Sequence, residues 1–75
     1  MEKYLNKSGN SGVEAYDIGL DYIKVKFKTS SLIYVYTYKI PGVREVNLMK
    51  GLAQQGLGLS TYISQHIKTN FERTE

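Results

Sequence analysis

Between Tyr22 and Lys28 the chain alternates with period two, Ile23, Val25 and Phe27 interleaving with Lys24, Lys26 and Lys28. A helix would scatter these apolar side chains around its surface, whereas a strand sends successive side chains to opposite faces. The segment reads as a half-buried strand with one apolar face and one lysine-bearing face. Thr29-Ser30-Ser31 interrupts the pattern. Leu32 to Ile40 then resumes it with strand-favouring residues, among them Ile33, Tyr34, Val35, Tyr36, Thr37 and Tyr38. Pro41 ends this run, because proline has no amide hydrogen for a sheet ladder. Upstream, Val13-Glu14-Ala15-Tyr16-Asp17 alternates well enough for a short strand, and Ile18-Gly19-Leu20-Asp21 supplies a turn.

Downstream the period changes to that of a helix. Val43, Val46, Met49, Leu52 and Ala53 recur at three- and four-residue spacing, and a helix is expected to start at Pro41, which a first helical turn tolerates. Gly56 or Gly58 supplies its left-handed C-cap, and Ser60 is the expected N-cap of a last helix. On that helix Leu59, Tyr62, Ile63, His66 and Ile67, with Phe71 beyond, share a face. Strands grouped first and helices second predict an α+β domain, a three-stranded antiparallel meander followed by two helices packed on one sheet face. Residues 1–12 are small, polar and Gly-rich after Leu5 and read as a flexible N-terminal tail. Residues 13–71 form the domain, and 72–75 a frayed C-terminus.

Composition narrows the functional classes. With 75 residues there is room for one small domain, and 41% hydrophobic content at a net charge of +3 argues against disorder. No cysteine is present, so disulfides, thiolate metal sites and a cysteine nucleophile are ruled out. The single histidine, His66, reads as a packed or rim residue of the last helix. No catalytic residue, metal site or cofactor site is assigned, and the chain is read as non-enzymatic. Gly56 to Thr61 lacks the spacing and the lysine of a phosphate-binding loop. No apolar run approaches the about 20 residues that cross a bilayer, and the opening residues lack the build of a signal peptide. A soluble, cytoplasmic protein without membrane attachment is expected.

Pairing parity decides where the tyrosines point. A hairpin of the second and third strands with a two- or four-residue loop puts Ile23, Val25 and Phe27 on one face with Leu32, Tyr34, Tyr36 and Tyr38. Lys24, Lys26, Lys28 and Lys39 then share the other face with Ile33, Val35 and Thr37. Unpaired buried ammonium groups are costly, so the lysine face is the wet one and Tyr34 and Tyr36 pack under the helices. Two uses of the wet face are open. Its lysines, together with Lys68, are candidate contacts to RNA phosphates. Alternatively Ile33 and Val35, apolar residues on a wet face, mark a protein-interaction or self-association surface, or one covered by the N-terminal tail folding back.

A run of features along Val13 to Phe71 resembles a known family. Val25-Lys26-Phe27 and Tyr34-Val35-Tyr36 lead to Ile40-Pro41, a helix and a small-residue loop, and then Tyr62-Ile63-Ser64-Gln65-His66-Ile67-Lys68. This pattern resembles the KTSC domain, named for its place at the C-terminus of some lysyl-tRNA synthetases and found alone as a small bacterial protein of unknown role. Tyr34 and Tyr36 match the family's Tyr-x-Tyr, and Gly58-Leu59-Ser60 stands where the family has Ser-x-Gly. The resemblance implies an RNA-binding role taken from the synthetase context.

Overall fold

The computed structural model describes all 75 residues, Met1–Glu75. Five strands, β1 (Glu2–Lys3), β2 (Val13–Ile18), β3 (Tyr22–Phe27), β4 (Ile33–Thr37) and β5 (Arg73–Thr74), form one antiparallel sheet in chain order. Between β4 and β5 stand helix α1 (Val43–Gln55) and the short helix α2 (Leu59–Tyr62), which runs on into a π-helical turn, Ile63–Ile67. The chain is therefore a small α+β domain with two helices and a five-stranded antiparallel sheet. No helix is long and apolar enough to cross a membrane.

The central hairpin has the parity that the alternation demands. Val25 stands opposite Tyr34 and Ile23 opposite Tyr36, while Lys24 faces Val35 and Lys26 faces Ile33. Directly opposed residues share a face. Tyr16, Ile23, Val25 and Tyr36 thus meet Val46, Met49 and Ala53 of α1 and Leu59, Ile63 and Ile67 of the second helical segment, closing one core. α1 ends at Gly56, whose left-handed backbone (φ 73°) turns its amide back onto the carbonyls of Leu52 and Ala53. A side chain there would also strike Leu5, whose Cβ lies 2.5 Å from where a Gly56 Cβ would stand.

Several expectations need correction. The sheet has five strands and not three, because both ends of the chain join it. β1 pairs with β2, the Tyr4 amide donates to the Glu14 carbonyl, and the Lys7 amide donates to Gly56. Tyr4 is only 3% exposed, and its hydroxyl accepts from the Leu59 amide at the start of α2. Residues 1–7 are thus bound to the domain and are not a flexible tail, since one buried aromatic anchor outweighs the polar Gly/Ser stretch after it. At the other end β5 pairs with β4, and Ile33 and Glu75 exchange both backbone hydrogen bonds, so 72–75 is not frayed. Two-residue strands carry no alternation to read, which is why the sequence pattern passes over them.

The helix ends also differ. α1 starts at Val43 after Gly42, and Pro41 lies outside it, bridged to Thr37 and joined to Ile40 by a cis peptide. Gly58, and not Ser60, is the N-cap of α2, and Ser60 lies inside the helix. β4 stops at Thr37, because the Thr37 hydroxyl accepts from the amides of Lys39 and Ile40 and turns the chain.

Candidate functional site

The outward sheet face is the first candidate. Register places Asp17, Lys24, Val35 and Arg73 in one row across β2–β5, and Lys3, Ala15, Lys26 and Ile33 in the next across β1–β4. The Lys24 Nζ donates to Glu75 at 2.9 Å, and the Lys26 Nζ lies 3.4 Å from a Glu14 oxygen. The Lys24–Glu75 hydrogen bond raises the Lys24 pKa above its ordinary value and lowers that of Glu75. Glu72, hydrogen-bonded by the Thr37 hydroxyl, pairs with Arg73.

Around this face Lys3, Lys24, Lys26, Lys28, Lys39 and Arg73 stand with Glu14, Asp17, Asp21, Glu72 and Glu75, six cations against five anions. The remaining four cations face two acids, so most of the +3 excess lies elsewhere. A nearly balanced surface gains little from counterion release on binding nucleic acid. The structure brings the five lysines together only in part. Lys24 and Lys26 are paired on the sheet, Lys39 shares a cleft with Lys24, Arg73, Asp21 and Glu72, Lys28 lies beyond β3 in a cleft with Lys3 and Glu14, and Lys68 caps the π-helical turn away from them.

Val35 does not behave as an outward contact residue. It is 1% exposed, flanked in its row by Lys24 and Arg73. β5, absent from the expected sheet, supplies the Arg73 flank, and the apolar stems of such long cations cover neighbouring surface. Ile33 is half-buried. The pair was expected to be offered to a partner or the N-terminal tail. Val35 is instead buried, in a row between Lys24 and the Arg73 of the C-terminal strand.

The second candidate lies on the other side of the sheet. A groove of about 510 Å³ opens between the β3–β4 hairpin and the second helical segment. Its apolar lining is Phe27, Tyr34, Tyr36, Ile63 and Phe71. Thr29, Ser30, Ser60, Ser64 and Thr69 add hydroxyls, and Lys68 is its one charged residue. No carboxylate lines it. The aromatic wall is built edge-on, Phe27 against Tyr34 at 5.5 Å and Tyr34 against Phe71 at 4.9 Å between ring centroids.

Tyr36 forms part of the floor. Its side chain is 1% exposed, and burial pushes its pKa up to about 12. Of the seven tyrosines, Tyr4, Tyr16, Tyr38 and Tyr62 use their hydroxyls in hydrogen bonds within the protein, and Tyr36 does not. Every side-chain polar atom shut off from solvent has a partner. The trace of Tyr36 that meets solvent is therefore its hydroxyl, at the groove floor. Lys68 is held at φ 56°, ψ −118°, a backbone region that glycine prefers.

Parity thus places Tyr34 and Tyr36 on the core side, where both line a shared groove that sequence reasoning missed. Phe71 and Lys68 reach it only through the π-helical turn, which leaves no period in the sequence. His66 is exposed, its ring 4.8 Å from that of Tyr62, and outside the groove. No group of three or more His, Cys, Asp or Glu is placed to hold a metal ion.

No protein-family model, curated protein or solved structure matches the chain.

Proposed function

We propose that the chain is a non-enzymatic binding domain for single-stranded RNA, and that contact is made in the groove of Tyr34, Tyr36, Phe71 and Lys68 instead of on the lysine face. The observation that carries this reading is the contrast in charge. The lysine face is nearly balanced by its own carboxylates, whereas the groove joins aromatic rings to one ammonium and has no carboxylate in its lining. Unstacked bases pair well with aromatic side chains, and a lysine at the rim answers the phosphate. The KTSC resemblance points to the same ligand class. Val35, which the self-association reading would offer to a partner, is 1% exposed, and this favours the groove over that reading.

Fluorescence anisotropy with a short labelled single strand separates the two faces. Lys68→Gln is expected to weaken binding about fivefold or more, and Lys24→Gln with Lys26→Gln to change it by less than about twofold. The reverse order of effects would return the site to the sheet face. Absence of binding at low salt would remove RNA as the ligand.

A further inference from the structure

A core ring whose hydroxyl reaches a groove without a partner in the protein leaves that hydroxyl free to bond whatever enters the groove. Tyr36 is in that position. Its side chain lies in the floor of a groove whose single charge is the Lys68 ammonium, and burial raises its pKa to about 12, so the phenol is protonated, hence a donor, at neutral pH. The neighbouring Tyr34 lines the same groove, and its hydroxyl is likewise outside the protein's own hydrogen-bond network.

A neutral donor and a cation lining one groove, with no acid in the lining, favour an anion. The aromatic wall of Phe27, Tyr34 and Phe71 selects a flat, apolar body attached to it. We propose that the groove is a receptor for a phosphate monoester carried on a flat ring, with the Tyr36 hydroxyl donating to the phosphate whose charge Lys68 neutralises. A phosphate monoester carries more charge than a carboxylate and offers three terminal oxygens as acceptors where a carboxylate offers two. The proposal rests on the groove being the ligand site, and deepens that reading by naming the anchoring group. Such a phosphate is carried by a free mononucleotide or by the 5′ end of an RNA strand.

Calorimetric titration of the full chain with adenosine monophosphate, adenosine and inorganic phosphate tests it, beside Tyr36→Phe and Lys68→Gln. Adenosine monophosphate is expected to bind at least about tenfold tighter than adenosine or phosphate alone. Tyr36→Phe, which keeps the ring and loses one oxygen, is expected to cost about tenfold toward the monophosphate and nothing toward adenosine. Equal affinity for the nucleotide and the nucleoside, or a Tyr36→Phe protein that binds the monophosphate unchanged, would overturn the proposal. Two tetranucleotides, with and without a 5′ phosphate, separate the sources. Preference for the phosphorylated strand supports the proposal and assigns the phosphate to an RNA end. Binding of the mononucleotide but of neither strand supports the proposal and removes RNA. Equal binding of both strands, unmoved by Tyr36→Phe, refutes the proposal while leaving the RNA reading standing, and binding of nothing refutes both.

Discussion

The ring of Phe71 meets that of Tyr34 edge-on, 4.9 Å between centroids and 80° between planes, and Tyr36 meets the same phenylalanine at 6.3 Å and 88°. This one side chain, two residues before β5, packs the C-terminal segment onto β4 and finishes the wall of the groove. Phe71→Ala is expected to cost about 2–3 kcal/mol, for a half-buried aromatic and its edge-on partners. Urea unfolding gives the magnitude. Faster hydrogen exchange at Ile33 and Glu75, whose amides bond across β4 and β5, shows that the edge strand has come loose.

Tyr4 tests whether the first residues belong to the domain. Tyr4→Phe removes only the acceptor of the Leu59 amide and is expected to cost about 1 kcal/mol, while Tyr4→Ala, which empties a buried aromatic site, costs about 3 kcal/mol or more. A flexible tail would make both substitutions silent in a denaturation curve.

Tyr36→Phe separates stability from binding. Its hydroxyl has no protein partner, so the variant is expected to match the parent within about 0.5 kcal/mol at neutral pH. The two should diverge in alkali. The folded-state pKa is raised to about 12 from 10.0, so the stabilisation is whole below pH 10 and lost as pH rises through about 12. On the order of 2–3 kcal/mol is at stake for this buried phenol. Unfolding free energies of parent and variant from pH 9 to 12 check it, because their difference removes the other tyrosines and the lysines.

Lys68 is expected to trade stability for binding. Its backbone sits at φ 56°, and Lys68→Gly should relieve about 1 kcal/mol of strain while it removes the groove's only charge. A thermal melt that rises together with a weaker ligand isotherm is the expected pair of results. A melt that falls would mean that the Lys68 side chain supports the fold.

The Lys24–Glu75 pair gives an acid-side expectation. Glu75 is held below its ordinary 4.5 chiefly by the hydrogen bond from Lys24, so the pair's support is present above that value and lost as pH falls through the lowered one. Glu75→Gln should flatten this part of the pH dependence of β5 opening, read by amide exchange at Ile33.

The sequence carried the central hairpin well and its surroundings poorly, for identifiable reasons. Alternation from Ile23 to Phe27 and the strand-rich run around Tyr34 fix which residues share a face, because parity is local and one buried face enforces it. β1 and β5 are two residues long and held by distant partners, Tyr4 by Leu59 and Glu75 by Lys24. No local pattern encodes such contacts. The same distance hides the charge balance of the lysine face. Lys24 reads as a free cation until the fold brings Glu75 to it, from 51 positions away in the chain. The groove escapes notice because its pieces come from the hairpin, α2 and the π-helical turn, and Tyr36 reads simply as core.

Heteronuclear NMR mapping of the chain with a short single-stranded RNA, at low salt and at about 0.2 M salt, tests the central claim most directly. Salt-sensitive shifts centred on Tyr34, Tyr36, Ser64, Lys68 and Phe71 are the expected result. Shifts confined to Lys24, Lys26 and their strand neighbours, with the groove unmoved, would contradict it.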